Sequence, residues 1–374
     1  MKTKEGLLKI MTGFLKRPEV ELFLGWLTAV HIFQMIVFPS LMIPTQVLAN
    51  YALKTRMIQI WSSSADTAHY IQVALNGYSR ESFVFFPLWP LILKLFHADP
   101  LISKVISCIL TLIFLVLFAK LIRLWNFKIA LPEILLIYIA FPFSIMLLMP
   151  MSEPLYLVLA TGGILAAERK RYFTSAMLIA LATATRMIGV VLVVYFLLKL
   201  ISDGKAVLKK YWLAILISPL GIVIYSLYLQ IVYGDFSLFY KQETQWNRSL
   251  GLQSLQKLFQ ESTDIIMQIV GSYKPVPINL LHFGSVFLFL VLALYAYKKL
   301  NIAAWIYCIL SITIPLLSGT FLGVPRYLLA AFPLFIPFGM FLRNHKILYF
   351  SYIALSFMFQ SYLLIRFFNF EMVA

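Results

Sequence analysis

Long apolar runs, separated by short polar connections, account for most of the chain. At about 1.5 Å per residue, an apolar helix of about 20 residues crosses a hydrocarbon core of about 30 Å. The pattern therefore predicts an all-α polytopic membrane protein, one integral domain over 1–374, with about eleven transmembrane helices. The predicted segments are 22–42, 101–119, 131–150, 154–167, 172–185, 187–200, 211–233, 277–297, 302–322, 326–342 and 346–366.

Two long connections of mixed polarity interrupt this pattern, over 43–100 and 234–276. We expect both to lie on the extracytoplasmic side and to carry interfacial helices. In the first loop, a helix from about Ala65 to Leu75, closed by Asn76-Gly77, would place Asp66, His69 and Tyr70 on one face.

Two of the predicted segments, 172–185 and 187–200, are short for spanning helices and meet at Arg186. We predict two half-length helices here, because a single helix would place the basic cluster at 199–210 outside the cytoplasm. The basic amphipathic stretch at 1–21 is expected to stay in the cytoplasm, and it shows no cleavable signal peptide.

The composition supports a membrane protein. Hydrophobic residues make up 61% of the chain, charged residues 12%, and the mean hydropathy is +0.88, far from the composition of soluble domains. The net charge of +16 does not indicate nucleic-acid binding, because most of the 31 Lys and Arg residues fall in short connections, as the positive-inside rule expects of cytoplasmic loops. Both cysteines lie in apolar runs, so we expect no disulfide and no metal site there.

With this topology, the unusual polar residues converge on the extracytoplasmic or lumenal face. Ionisable groups at a membrane boundary are costly unless they are paired or functional, so their clustering indicates a site. The candidates are Asp66, His69, Tyr70, Glu153, Arg186, Gln242, Trp246, Arg248 and Arg326.

An ordered set of short motifs resembles one known family. The set comprises Asp66-x-x-His69-Tyr70, Gly77-Tyr78, Phe86-Pro87-Leu88-Trp89-Pro90, Met151-Ser152-Glu153, Thr185-Arg186-x-x-Gly189, Gly234-Asp235 with Gln242, Trp246 and Arg248, and Pro325-Arg326-Tyr327. Together, over about 61–335, they resemble the PIG-V-like mannosyltransferases, relatives of the second mannosyltransferase of glycosylphosphatidylinositol assembly within the GT-C membrane glycosyltransferases. The family usually has Trp directly before the Asp, where this chain has Ala65.

The resemblance implies inverting transfer of a hexose, mannose by analogy, from a polyprenyl-phosphate-sugar to a lipid or glycan acceptor on the extracytoplasmic face. Asp66 would be the catalytic base, and Arg186, Arg326 and Arg248 would bind the lipid phosphate. His69, Tyr70, Glu153, Gln242 and Trp246 would orient acceptor or donor. We expect the plasma membrane of a prokaryote rather than the endoplasmic reticulum membrane, and a partner subunit remains open.

The chemistry is consistent with a single carboxylate. A lipid phosphate leaves as a stabilised anion, so no second acid is needed to protonate it. The remaining task is to accept the proton of the incoming hydroxyl, while arginine can grip phosphate oxygens bidentately. No Asp-x-Asp metal motif, Gly-x-Gly-x-x-Gly fingerprint or phosphate-binding loop occurs, so we expect neither cofactor nor metal.

Structural alternatives stay open for these residues. Asp66 could only cap its helix, Glu153 could only stabilise a helix start, and His69 could be a packed interfacial histidine. Two other functions also stay open. An outer-face polysaccharide polymerase or ligase would not depend on a first-loop acid, and a transporter would be expected to show repeated halves with matching broken helices.

Overall fold

The structure, a computed structural model, describes residues 12–37, 61, 66–127, 129–243, 252–270, 277–369, 371 and 373. Every regular element among these residues is helical, as predicted. The α-helices are α1 (Pro18–Val37), α2 (Asp66–Asn76), α3 (Leu88–Leu95), α4 (Pro100–Leu124), α5 (Leu131–Ala140), α6 (Glu153–Glu168), α7 (Tyr172–Thr183), α8 (Val190–Asp203), α9 (Lys205–Lys210), α10 (Trp212–Ile217), α11 (Leu220–Tyr233), α12 (Leu238–Lys241), α13 (Leu252–Val270), α14 (Pro277–Ala296), α15 (Ile302–Leu316), α16 (Val324–Leu328), α17 (Phe335–Arg343) and α18 (Lys346–Phe368).

Four of the described helices are long and apolar enough to cross a membrane: α1, α4, α14 from Ile278 onward, and α18. A fifth crossing is possible through a bent pair, α5 with the 3₁₀ helix Pro142–Leu148. Further apolar helices of 10–17 residues include α7, α11 and α15. An integral membrane protein is therefore confirmed, whereas the count of about eleven crossings stays a prediction.

Several predicted segments are interrupted, and proline is present at each interruption. The segment over 131–150 bends by 87° between α5 and the 3₁₀ helix that starts at Pro142. The segment over 211–233 is divided between α10 and α11, with Pro219 directly before α11. Because proline lacks an N–H and its ring clashes with the carbonyl of the preceding turn, a helix ends or bends there.

Helix α6 forms the centre of the bundle, with almost every side chain from Glu153 to Ala167 buried. It packs between α4 and α7. Its glycines allow close approach, since a Cβ at Gly163 would lie 3.1 Å from Ile179 of α7. Ser175 of α7 donates a hydrogen bond to the Gly163 carbonyl at 2.8 Å. Small residues and hydroxyl bonds of this kind are typical of helix contacts in membranes.

A polar network around Glu168 connects the carboxyl end of α6 to neighbouring segments by hydrogen bonds and an ion pair. One oxygen, Oε1, accepts hydrogen bonds from Trp125 at 3.2 Å, Tyr195 at 3.0 Å and Asn301 at 3.1 Å. The other lies 3.4 Å from the ammonium of Lys199. This one carboxylate therefore joins the end of α6 to α8 and to the residues that follow α4 and precede α15.

Helix α11 crosses α7 at unusually short range through Gly221. A Cβ there would overlap the Ala180 carbonyl oxygen and lie 2.6 Å from Thr183 Oγ1. The backbone N–H of Ile222 donates to the same Thr183 oxygen at 3.3 Å. The absence of a side chain at position 221 is therefore what allows the two helices to meet.

Replacing Gly221 with Ala is expected to destabilise the protein by about 1–3 kcal/mol, because the added methyl group must push two backbones apart. Gly284→Ala is the matched control, since a Cβ at Gly284 of α14 meets nothing within 4 Å. The measurement is thermal unfolding of the two purified variants in detergent. Equal melting temperatures for both variants would show that the α7–α11 contact is looser than described.

Candidate active site

The first part of the site is the amino end of α2. The helix ends at Asn76, one residue beyond the predicted Leu75, and the predicted start at Ala65 lies outside the described residues. Gly77, with φ +80°, terminates it, and left-handed backbone of this kind favours glycine. Asp66 and Tyr70 are four residues apart and so share a face, as predicted. The carboxylate of Asp66 is partly exposed, whereas Tyr70 is buried.

Asp66 forms an ion pair with Arg326, which is 260 residues away in the sequence. Nη1 of the Arg326 guanidinium group donates a hydrogen bond to Oδ2 of Asp66. Arg326 lies on the short helix α16, which Gly323 precedes with φ +74°. The side chain of Arg326 is only 11% exposed, and its buried Nε has no hydrogen-bond partner among the described residues.

A second ion pair lies beside the first. Nη1 of Arg186 is 2.5 Å from Oε1 of Glu153, and both side chains are less than 10% exposed. Arg186 has extended backbone, with φ −155°, between the end of α7 and the 3₁₀ helix Met187–Gly189. The predicted break at Arg186 is therefore confirmed. Gly189 permits the chain to turn there, because a Cβ would lie 2.6 Å from the Ala182 carbonyl oxygen.

Ser152 and Tyr327 connect the two ion pairs. Ser152 Oγ accepts a hydrogen bond from Arg186 at 3.0 Å and lies 2.7 Å from the hydroxyl oxygen of Tyr70. The ring centroid of Tyr327 is 4.8 Å from Cζ of Arg186 and 5.6 Å from Cζ of Arg326, within the range of cation–π attraction. Burial raises the pKa of the Tyr70 hydroxyl, so this group stays protonated and can donate.

Four of these groups, those of Glu153, Arg186, Arg326 and Tyr327, line a small pocket. Neither oxygen of Glu153 receives a hydrogen bond from a described residue, although Arg186 balances its charge. Buried polar atoms normally have hydrogen-bond partners. Glu153 Oε2 therefore offers an unused acceptor to a polar ligand, and Arg326 Nε offers an unused donor. The lining residues are Glu153, Tyr156, Leu157, Arg186, Ile188, Arg326, Tyr327, Leu329 and Ala330.

The sequence of this chain matches the family described as Mannosyltransferase (PIG-V) over residues 19–244. The match spans more than half of the chain. The chain belongs to the PIG-V mannosyltransferase family. No match was found among curated proteins or among solved structures. This PIG-V family member is therefore a membrane glycosyltransferase, and the matched range contains Asp66, Glu153 and Arg186 but not Arg326.

The site brings together most of the residues that the sequence indicated in this PIG-V family member. Asp66, Tyr70, Glu153, Arg186 and Arg326 form one connected cluster. His69 lies next to it, and its ring stacks on Phe85 with centroids 5.0 Å apart.

Gln242 has a different environment from the cluster. Its amide nitrogen donates to the Arg80 carbonyl at 2.7 Å, and its oxygen accepts from the Val84 N–H at 3.0 Å. It therefore holds the first loop in place and is not among the residues that line the pocket. Trp246 and Arg248 lie outside the described residues.

Ser152, Tyr327 and Tyr156 are site residues to which the sequence assigned no role. Ser152 and Tyr327 adjoin Glu153 and Arg326 in the motifs, and adjacency to a charged candidate is the signal that could have found them. Tyr156 follows Glu153 by three residues, which places both on one face of α6. Its hydroxyl lies 3.2 Å from that of Tyr307 in the core.

Asp235 belongs to a surface turn rather than to the pocket. Hydrogen bonds from Lys241 and from Ser237 lower the pKa of its carboxyl group to about 2. The Ser237 N–H donates at 2.9 Å and its hydroxyl at 2.7 Å. Asp235 is thus an ionised second-loop acid with a local structural role.

We expect Arg186→Gln to destabilise the protein by about 3–5 kcal/mol, because Glu153 would remain as a buried, unpaired charge. Glu153→Gln in the same chain should restore much of the loss, since the uncompensated charge is then gone. A double-mutant cycle of thermal stability in detergent measures the coupling. Lys241→Gln, which breaks the exposed pair with Asp235, is the control and should have little effect. Additive losses at Arg186 and Glu153 would contradict a stabilising pair.

Proposed function

We propose that this enzyme transfers mannose, with inversion, from a polyprenyl-phosphate-mannose donor to a hydroxyl group of a lipid or glycan acceptor on the extracytoplasmic face. The observation that carries the proposal is that Glu153, Arg186 and Arg326 line one pocket, with Asp66 held in an ion pair by Arg326. The family match supports the mannosyl group, and the pocket chemistry supports an anionic leaving group.

Asp66 is the proposed general base. The acceptor oxygen attacks C1 of the sugar, the bond from C1 to the phosphate oxygen breaks, and the hydroxyl proton passes to the carboxylate. Attack from the face opposite the leaving phosphate inverts the anomeric centre. The ion pair with Arg326 restricts the rotation of the carboxylate, which favours one fixed orientation toward the acceptor.

Arg326 and Arg186 are the proposed partners of the departing phosphate. Guanidinium groups bind phosphate oxygens through strong charge-assisted hydrogen bonds, and positive charge placed where negative charge develops lowers the barrier. The unused Nε of Arg326 is the donor already available for this contact. The unused Oε2 of Glu153 suits a hydroxyl group of the sugar, which is a donor.

The two ends of α6 support the orientation of the site. The helix begins at Glu153 in the pocket and ends at Glu168, directly before the basic run Arg169-Lys170-Arg171. At about 1.5 Å per residue, these ends lie about 24 Å apart. Because basic connections stay in the cytoplasm, the pocket belongs to the opposite side. About eleven crossings, with both long loops outside, complete the proposed topology.

Transfer is tested with radiolabelled polyprenyl-phosphate-mannose and membranes that contain wild type or Asp66→Asn at matched levels, with chelator present. Loss of a general base should lower transfer by about a hundredfold or more. Asp235→Asn, which also removes an ionised outer-loop acid, is the matched control and should keep wild-type activity.

Full activity of Asp66→Asn would refute the base assignment. Absence of transfer by wild type would instead point to another donor sugar, and glucose and arabinose donors are then compared. Lipid and glycan fractions are extracted separately, so that the labelled fraction shows the class of acceptor.

Orientation is tested with single cysteines at Arg80 and Arg169, both exposed, and a membrane-impermeant maleimide on intact cells. Arg80→Cys should be labelled directly and Arg169→Cys only after permeabilisation. The unmodified chain gives the background, because Cys308 is buried and Cys108 is half-buried. Labelling of Arg169→Cys in intact cells would reverse the proposed sidedness.

A further inference from the structure

Lys104, on the second turn of α4, is a buried cation outside the pocket. The residue is 7% exposed, and its Nζ has no hydrogen-bond partner among the described residues. A buried ammonium group is costly unless it is paired. The position therefore requires either a neutral amine or a counter-charge.

The closest neighbour of the ammonium group is an aromatic ring. Nζ of Lys104 lies 2.9 Å from the ring centroid of Trp61. The indole is itself fixed, because its N–H donates to Gln34 at 3.1 Å and its ring packs against His31 and Phe368 with centroids 6.1 and 5.2 Å away. A cation–π contact of this kind favours the charged form but supplies no full negative charge.

No carboxylate provides the missing charge within the described part of the chain. No ion pair among the described residues includes Lys104. Glu153 and Asp66 are already paired with Arg186 and Arg326. The stretches of sequence that flank Trp61, 38–60 and 62–65, contain no Asp or Glu at all. Within the described residues and these flanking stretches, no carboxylate therefore balances a charged Lys104.

Two serines on the same turns of α4 add further unused polar groups. The hydroxyl groups of Ser103 and Ser107 are fully buried and have no hydrogen-bond partner among the described residues. They are four residues apart and so lie on one face, next to the position of Lys104. One ammonium and two hydroxyl groups within about one helical turn suit a ligand with several acceptor oxygens.

We propose that Lys104 binds the phosphate group of a lipid at the pocket-side end of α1, α4 and α18. A phosphate carries the negative charge that the chain lacks here, and its oxygens can accept from Lys104 in charge-assisted hydrogen bonds. The source is either the polyprenyl phosphate donor or a membrane phospholipid. Only the first source rests on the proposed function.

The test measures lipid binding by the purified full chain in a phosphate-free maltoside detergent. The probes are a C55 polyprenyl phosphate, phosphatidylglycerol and inorganic phosphate, and the variants are Lys104→Met, Lys104→Arg and Lys120→Met. Loss of a charged hydrogen bond of this strength should weaken lipid binding about 10- to 100-fold in Lys104→Met. Lys104→Arg should retain binding. Lys120→Met, an exposed lysine on the same helix, should match wild type.

The pattern of losses distinguishes the sources. Weakened binding of the polyprenyl phosphate alone identifies the donor, and weakened binding of phosphatidylglycerol identifies a phospholipid. Equal lipid affinity in wild type and Lys104→Met would overturn the proposal and leave a buried neutral amine. If Lys104→Met does not accumulate, Lys104→Gln removes the charge while keeping a polar side chain. Binding is measured without transfer, so the result does not depend on the role of Asp66.

Discussion

The cost of placing charge in a low-dielectric interior is the constraint on which this structure depends. Four ionised side chains lie close together, and each is tolerable only because its partner is present. The partners come from distant parts of the sequence, with Asp66 meeting Arg326 and Glu153 meeting Arg186. The same pairs that neutralise the interior therefore fix where the first loop, the start of α6, the break after α7 and helix α16 must lie.

Irregular backbone is concentrated where these charges meet. Arg186 lies in a break between helices, Arg326 on a helix of five residues, and the chain bends by 87° before it reaches Glu153. Non-helical backbone at membrane depth is tolerated only where protein or a cavity satisfies its polar groups. The wall of the pocket is thus formed by segments that the fold could not expose to lipid, whereas regular helices such as α4 and α18 can face it.

The local features of the site were predictable because they follow from neighbouring residues. The Asn76-Gly77 stop located the end of α2 to within one residue, and the charge distribution indicated the break at Arg186. The pairing of Asp66 with Arg326 and the use of Gln242 as a clamp on the first loop were not predictable. Such contacts depend on how helices pack in three dimensions, and hydrophobic periodicity carries no information about that. Pro142 could have indicated the bend, but the apolar run over 131–150 continues through it and was therefore predicted as one helix.

The Glu153–Arg186 ion pair would also have a kinetic consequence for the proposed reaction. A phosphate held by Arg186 would occupy a position for which the tethered Glu153 carboxylate competes at high effective concentration. Because Glu153 takes no proton in that mechanism, it would return to its arginine as the leaving group departs. Strong electrostatic attraction in a water-poor pocket would otherwise slow turnover by retaining product. A site built from paired charges can thus bind an anion strongly during reaction and still release it quickly.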